Sequence, residues 1–214
     1  MTQNLPKKYK TRFFELYKSE ELLFKKKYDI GIDDIDFFSS YENSRTENNN
    51  CESIFPSTFE RILELSDCKN RDLVFMDCGS GLGLPVFIAS HFFKYAYGVE
   101  VIPYIAEKSK DNLKKLKVKN AKIISSDIQD ISLEVVNSVN VFFLFNPFTS
   151  NIFSNFLKLV KNSLRERERE IIIIYANSCE YKLFNTYKSD FVLEKEISDF
   201  RPIKIYHHRK KMSL

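Results

Sequence analysis

Between Leu73 and Gly83 the chain reads Leu-Val-Phe-Met-Asp-Cys-Gly-Ser-Gly-Leu-Gly, an apolar run closed by an acid and followed by three glycines at alternate positions. The run lacks polar alternation, which fits a strand buried on both faces of a parallel sheet. Gly79, Gly81 and Gly83 allow positive φ and let backbone approach a ligand with no Cβ in the way. The next segment, Leu84-Pro85-Val-Phe-Ile-Ala-Ser-His91, continues as a helix with Pro85 tolerated in its first turn. The stretch therefore predicts the first strand of an α/β domain, turning into a helix whose N-terminus faces a nucleotide-like ligand.

Two ligand classes use such a turn. The dinucleotide fingerprint G-x-G-x-x-G would place its third glycine at position 84, where the chain has Leu84. Asp77 beside the loop would also repel a pyrophosphate. S-adenosylmethionine (SAM) carries an ammonium and a sulfonium and no phosphate, so the acid favours it over a nicotinamide dinucleotide. Asp77-x-Gly79-x-Gly81-x-Gly83 resembles the first motif of class I SAM-dependent methyltransferases. The resemblance implies a Rossmann-like fold, a mostly parallel seven-stranded sheet with helices on both faces, here with an N-terminal helical extension. It also implies SAM as cofactor, held by Asp77, Cys78, Gly79, Ser80, Gly81 and Gly83.

Further features follow in the family's order. Tyr95-Ala-Tyr-Gly-Val-Glu100 reads as the second strand, ending in an acid about 20 residues beyond the glycine turn, where a carboxylate can accept hydrogen bonds from both ribose hydroxyls. Glu100 is the candidate, with Val101 beside it. Ala121 to Asp130 repeats the pattern of short strand, polar loop and acid. In the family an acid here bonds the adenine amino group and the next residue packs on the ring, places matched by Asp127 and Ile128; the competing account of Asp127 is an ordinary turn residue. Val139 to Phe148 is a fourth strand ending in Asn146-Pro147-Phe148. That turn resembles the Asn/Asp-Pro-Pro-Tyr/Phe motif of methyltransferases acting on planar or amine nitrogens, without the second proline. It also resembles the Asn-Asn-Phe turn of non-SET lysine methyltransferases, with Pro147 in place of an asparagine. Asn146, Pro147 and Phe148 are the catalytic candidates, and Asn146 also touches cofactor on this reading. The alternative is that Asn-Pro only ends the strand.

Upstream, Ser57-x-x-Glu60 forms a capping box ahead of Ile62, Leu63 and Leu65 and predicts a helix start. Phe55-Pro56-Ser57-Thr58 is also similar to a turn that several methyltransferase families place near the methionine end of SAM, making Phe55, Ser57 and Thr58 cofactor candidates. Leu5 to Tyr28 alternates lysines with apolar residues and predicts one or two amphipathic helices, packed on the domain or serving as a lid. Glu42 to Glu52 reads as an exposed loop. This divides the chain into an extension and loop at residues 1–50 and a SAM-binding domain at 51–214.

Towards the C-terminus, residues 152–164 predict a helix and the Arg165-to-Glu170 charge run a solvated helix end. Ile171 to Asn177 reads as a fifth buried strand, residues 191–197 and 203–208 as an antiparallel pair, and His207-His208-Arg-Lys-Lys as an exposed tail.

With 214 residues the chain supports one sizeable core. A net charge of +4 is too small and too dispersed to imply a nucleic-acid footprint without a clustered patch, so it is only a weak hint and nucleic acid stays a possible but unsupported partner. Cys51, Cys68, Cys78 and Cys179 form no C-x-x-C pair, and the N-terminus has no secretory core, so reduced thiols and a cytoplasmic location are expected. The apolar runs fall short of the roughly 20 residues that span a bilayer. No metal is required. The expected activity is SAM-dependent transfer of a methyl to an amine, protein lysine favoured as acceptor. The alternatives are a nucleic-acid or small-molecule acceptor, or a non-catalytic binding protein that keeps the fold.

Overall fold

A computed structural model describes residues 7–31, 35–37, 54–145, 147–198 and 202–209, the side chains of 7–14 excepted. Seven strands form one sheet: β1 (Val74–Cys78), β2 (Tyr95–Glu100), β3 (Ala121–Ser125), β4 (Val141–Phe145), β5 (Ile171–Ala176), β6 (Val192–Ser198) and β7 (Pro202–His208). Their order is β3-β2-β1-β4-β5-β7-β6, parallel from β3 to β5, with β7 antiparallel to both its neighbours. This is the mostly parallel seven-stranded sheet that the sequence led us to expect.

The central strands lack polar alternation because both faces are covered. Phe75, Phe143 and Ile174 point into one apolar layer with Phe59 and Leu63 of α2 (Pro56–Leu65), Val86 and Phe87 of α3 (Leu84–Ser90), and Ile105 and Leu113 of α4 (Pro103–Lys115). Met76, Phe142, Leu144 and Ile173 point into the other, with Val136 of α5 (Leu133–Ser138) and Phe153 and Phe156 of α6 (Ser150–Glu166). Chain order reverses between β1 and β4, and this switch point fixes where the loops that follow the strands open a crevice.

The N-terminal segment is one helix, α1 (Lys7–Lys27). Phe24 is buried with its ring against Phe37, Phe87 and Tyr28, so α1 belongs to the core of the α2–α4 face. The Glu42-to-Glu52 loop lies outside the described residues.

Three expectations need correction. The capping box does not form: α2 has Phe55 at its N-cap with no side-chain cap, while Ser57 bonds Glu20 and Glu60 accepts from Lys27 and Tyr28. Glu60 is drawn away because a cation and a phenol compete for it. Arg169, expected in solvent, is buried and donates to the carbonyls of Val136, Val139 and Arg167 and to Ser163 Oγ. It thereby gathers carbonyls at the C-terminal ends of α5 and α6. His207 and His208 are not a tail but part of β7, where His208 contacts the Asp190 carbonyl at 2.7 Å and Glu168 at 3.0 Å.

Candidate functional site

The glycine turn folds back over the end of β2. The amides of Gly79 and Ser80 both donate to the Val99 carbonyl at 2.9 Å, and the Gly83 amide donates to the Ser80 carbonyl at 2.9 Å. Gly79 sits at φ 89°, and a Cβ there would stand 2.5 Å from Pro147 Cβ. Only glycine meets both conditions, and the contact places the turn after β4 directly against the turn after β1. Gly83, at φ 88°, caps α3 and packs so closely on Ser109 that a side chain would collide with its hydroxyl.

Glu100 closes the next side. One of its oxygens accepts from the Gly81 amide and the other from the Ile102 amide, both at 2.9 Å, so the carboxylate is fixed at the end of β2. Val101, between them, is half-buried. Asp77 stands opposite Gly98 in the register, 2% exposed. Burial, and then the charge of Glu100, hold its carboxyl well above the usual carboxylate range. No salt bridge reaches Asp77 among the described residues. The Cys78 thiol is likewise raised, by burial and then by Asp77, and stays neutral.

Asp127 accepts from the backbone and side-chain nitrogens of Gln129 through one oxygen and caps the 3-10 turn Ile128–Asp130. Turn-capping is thus a real part of its function. Ile128 is buried in the layer of Met76, Cys78 and Val99. Pro147 is half-buried, and Phe148 is buried with its ring 6.1 Å from Phe153 and 6.2 Å from Phe156, packed on α6. Asn146 lies outside the described residues.

Phe55, Ser57 and Thr58 stand at the head of α2, where α1 reaches them. The Phe55 ring lies 5.4 Å from that of Tyr17, and Glu20 accepts from the Ser57 hydroxyl at 2.7 Å and from its amide at 3.3 Å. Thr58 is half-buried. The structure thus brings Asp77, the glycine turn, Glu100 and Pro147 together at the carboxyl ends of β1, β2 and β4, and joins Phe55 and Ser57 to the N-terminal helix.

One residue escaped the sequence reading. Asn177, next after β5, holds φ 51°, and its carbonyl accepts from the Cys179 amide at 2.9 Å. Asparagine after a buried apolar run is the residue type that tolerates left-handed backbone, a signal present in the sequence. Among the described residues no group of His, Cys, Asp and Glu is arranged to hold a metal ion, and no helix is long and apolar enough to cross a membrane.

No family model and no curated protein matches the chain. Solved structures do. The chain is similar to an RNA methyltransferase from Salinibacter ruber in complex with S-adenosyl-L-homocysteine, at 16% identity and TM-score 0.54 over 77% of this chain and 96% of that one. It is also similar to precorrin-6y C5,15-methyltransferase from Geobacter metallireducens, at 17% identity and TM-score 0.55 over 83% and 96%. A third match is a SAM-dependent methyltransferase from Aquifex aeolicus, at 13% identity and TM-score 0.55 over 73% and 98%. The shared property is the fold, the Rossmann-like sheet of class I methyltransferases.

Proposed function

We propose that this chain is a SAM-dependent methyltransferase that methylates a nitrogen. The observation that carries the reading is Asp77, a carboxyl buried at the switch point beside the fixed carboxylate of Glu100 with no salt bridge among the described residues. Two buried acids side by side repel each other and any phosphate. A ligand bearing an ammonium and a sulfonium relieves that repulsion. The methyltransferase neighbours, one of them holding S-adenosyl-L-homocysteine, support the same cofactor.

On this reading Glu100 takes the ribose hydroxyls with the lone pairs that Gly81 and Ile102 leave open, with Val101 alongside. Cys78, Gly79, Ser80, Gly81 and Gly83 line the turn against which the methionine part rests, and Asp77 faces its ammonium. Asp127 offers the oxygen not spent on Gln129 to the adenine amine, and Ile128 lies under the ring. Phe55, Ser57 and Thr58 border the methionine end. When bound, SAM supplies a methyl already activated by its positive sulfur. The protein's task is then alignment, which can lower a barrier by roughly 7–11 kcal/mol. The carbonyl of Pro147, held on Gly79, and the side chain of Asn146 would accept hydrogen bonds from the acceptor nitrogen and aim its lone pair. Phe148 stiffens that turn from the core side.

The Asn-Pro-Phe turn suggested protein lysine as acceptor, and the structural neighbours do not support it: their acceptors are RNA and a precorrin. We favour a nitrogen of a nucleic acid. Calorimetry with SAM, S-adenosylhomocysteine and NADH tests the cofactor: the first two should bind and NADH should not. Binding of NADH alone would overturn the reading. Labelled SAM incubated with cell extract should then place label in RNA; label confined to protein would return the acceptor to lysine.

A further inference from the structure

A run of lysines from 114 to 122 and the more distant Lys94 meet at one corner of the sheet. Lys114 lies in the last turn of α4, Lys117 and Lys119 occupy the turn into β3, and Lys122 lies on β3 itself. The Val118 amide donates to the Leu113 carbonyl and the Ala96 amide to the Asn120 carbonyl, at 3.0 Å each, so this turn lies against the start of β2. Lys94 and Tyr95 are there. Asn120 donates to the Ser90 and Phe93 carbonyls and fixes the corner to α3. All five lysines are exposed, and none has an ion pair among the described residues. Within residues 94–125 the acids are Glu100, held by backbone amides, Glu107, paired with Lys110, and Asp111.

Two aromatic rings lie on the sheet face that Lys122 shares. Tyr95 and Tyr97 alternate along β2 and so share a sheet face, half-buried, with ring centroids 4.9 Å apart. Tyr97 stands opposite Lys122 in the register. We propose that this corner, made by the α4–β3 turn and the outer face of β2 and β3, binds single-stranded nucleic acid. The lysines take phosphates, and Tyr95 and Tyr97 supply faces on which bases stack, the combination used by sequence-tolerant single-strand binders. A lipid surface fits less well: the large exposed apolar residues lie elsewhere, on α1, on β6, and at Tyr104 and Tyr181. An acidic peptide would use the lysines and leave the two rings without a role.

The proposal deepens the nucleic-acid reading of the acceptor, yet it concerns a surface apart from the cofactor crevice. Fluorescence anisotropy with a labelled single-stranded RNA 12-mer of mixed sequence tests it in the full chain, with polyglutamate and phosphatidylserine vesicles as competing probes. The triple variant Lys114→Glu, Lys119→Glu, Lys122→Glu should weaken RNA binding at least tenfold. It should also flatten the slope of log affinity against log salt by about 2, at about 0.7 for each phosphate the protein no longer neutralises. Tyr95→Leu, which keeps the apolar body of the side chain, should weaken binding several-fold with the salt slope unchanged. SAM affinity should stay parental in both. Equal RNA affinity in parent and triple variant, or tighter binding of polyglutamate or vesicles than of RNA, overturns the proposal while leaving the methyltransferase reading intact. Lysine-dependent RNA binding by a parent protein that fails to bind SAM would do the reverse.

Discussion

At the scale of single residues, Glu100 serves the fold before it serves any ligand. Glu100 accepts from two backbone amides, so its replacement acts twice. Glu100→Ala removes charge-assisted bonds to ribose worth roughly 1.5–3 kcal/mol each and also leaves the Gly81 and Ile102 amides unpaired. SAM affinity should fall at least tenfold and the melting temperature should drop. Glu100→Gln keeps an acceptor and should be milder on both. Parental SAM affinity in a folded Glu100→Ala protein would refute the ribose role. Arg169 is the opposite case, a charge spent wholly on structure. Burial lowers its pKa to about 10, still well above neutrality, so the guanidinium remains charged while it binds carbonyls from α5 and α6. Arg169→Leu should cost about 3 kcal/mol, and so about 6–12 °C in thermal unfolding for a chain of this size, with SAM affinity unchanged. A variant that melts with the parent would show that water replaces those bonds. The acids at 77 and 100 were legible because each follows a short apolar run. Arg169 was not, because an alternating charge run carries no sign of which member turns inward; that depends on carbonyls some 30 residues away.

At the scale of elements, sequence patterns placed the strands well and misassigned what joins the helices. The five parallel strands are short, mainly apolar runs, each closed by polar or turn-forming residues, a signal that needs no knowledge of neighbours. The head of α2 is different. Ser57 and Glu60 have the spacing of a local cap, yet both are claimed by α1 and the turn that follows it, by Glu20 on one side and by Lys27 and Tyr28 on the other. A capping motif specifies what a helix end needs and does not specify the partner. Glu20→Ala should therefore destabilise the protein by about 1 kcal/mol, the usual value of a helix N-cap, lowering the melting temperature by about 2–4 °C. Absence of any shift would mean that α1 is held on the domain by Phe24, Tyr17 and Lys27 without help from Glu20. The same contacts bear on the lid alternative. With Phe24 in the core, loss of residues 1–28 would expose Phe87 and Phe37, and the expected result is a destabilised protein rather than an intact one that merely lacks turnover.

At the scale of the whole molecule, the fold holds its switch point open with two carboxyl groups where an apolar core would be more stable. Asp77 shows the cost through its dependence on pH. Its folded pKa lies well above the unfolded value near 3.8, so the protonated group favours the folded state. That contribution is full below the unfolded value and is lost as pH rises through the folded one; at neutral pH an ionised Asp77 opposes folding. Asp77→Asn keeps the shape and removes the charge. The variant should melt higher than the parent at pH 7, and the gap should close as the pH falls towards 4. If Asp77 is kept for a cationic cofactor, the same variant should bind SAM at least tenfold more weakly and gain less thermal stability from it. Binding should also draw the parental carboxyl towards its ionised form and release protons, readable by calorimetry in buffers of different ionisation enthalpy. An Asp77→Asn protein less stable than its parent at pH 7 would refute the burial argument. One that is more stable yet binds SAM at full affinity would leave Asp77 without a cofactor role, and the methyltransferase reading would then rest on Glu100 and the glycine turn.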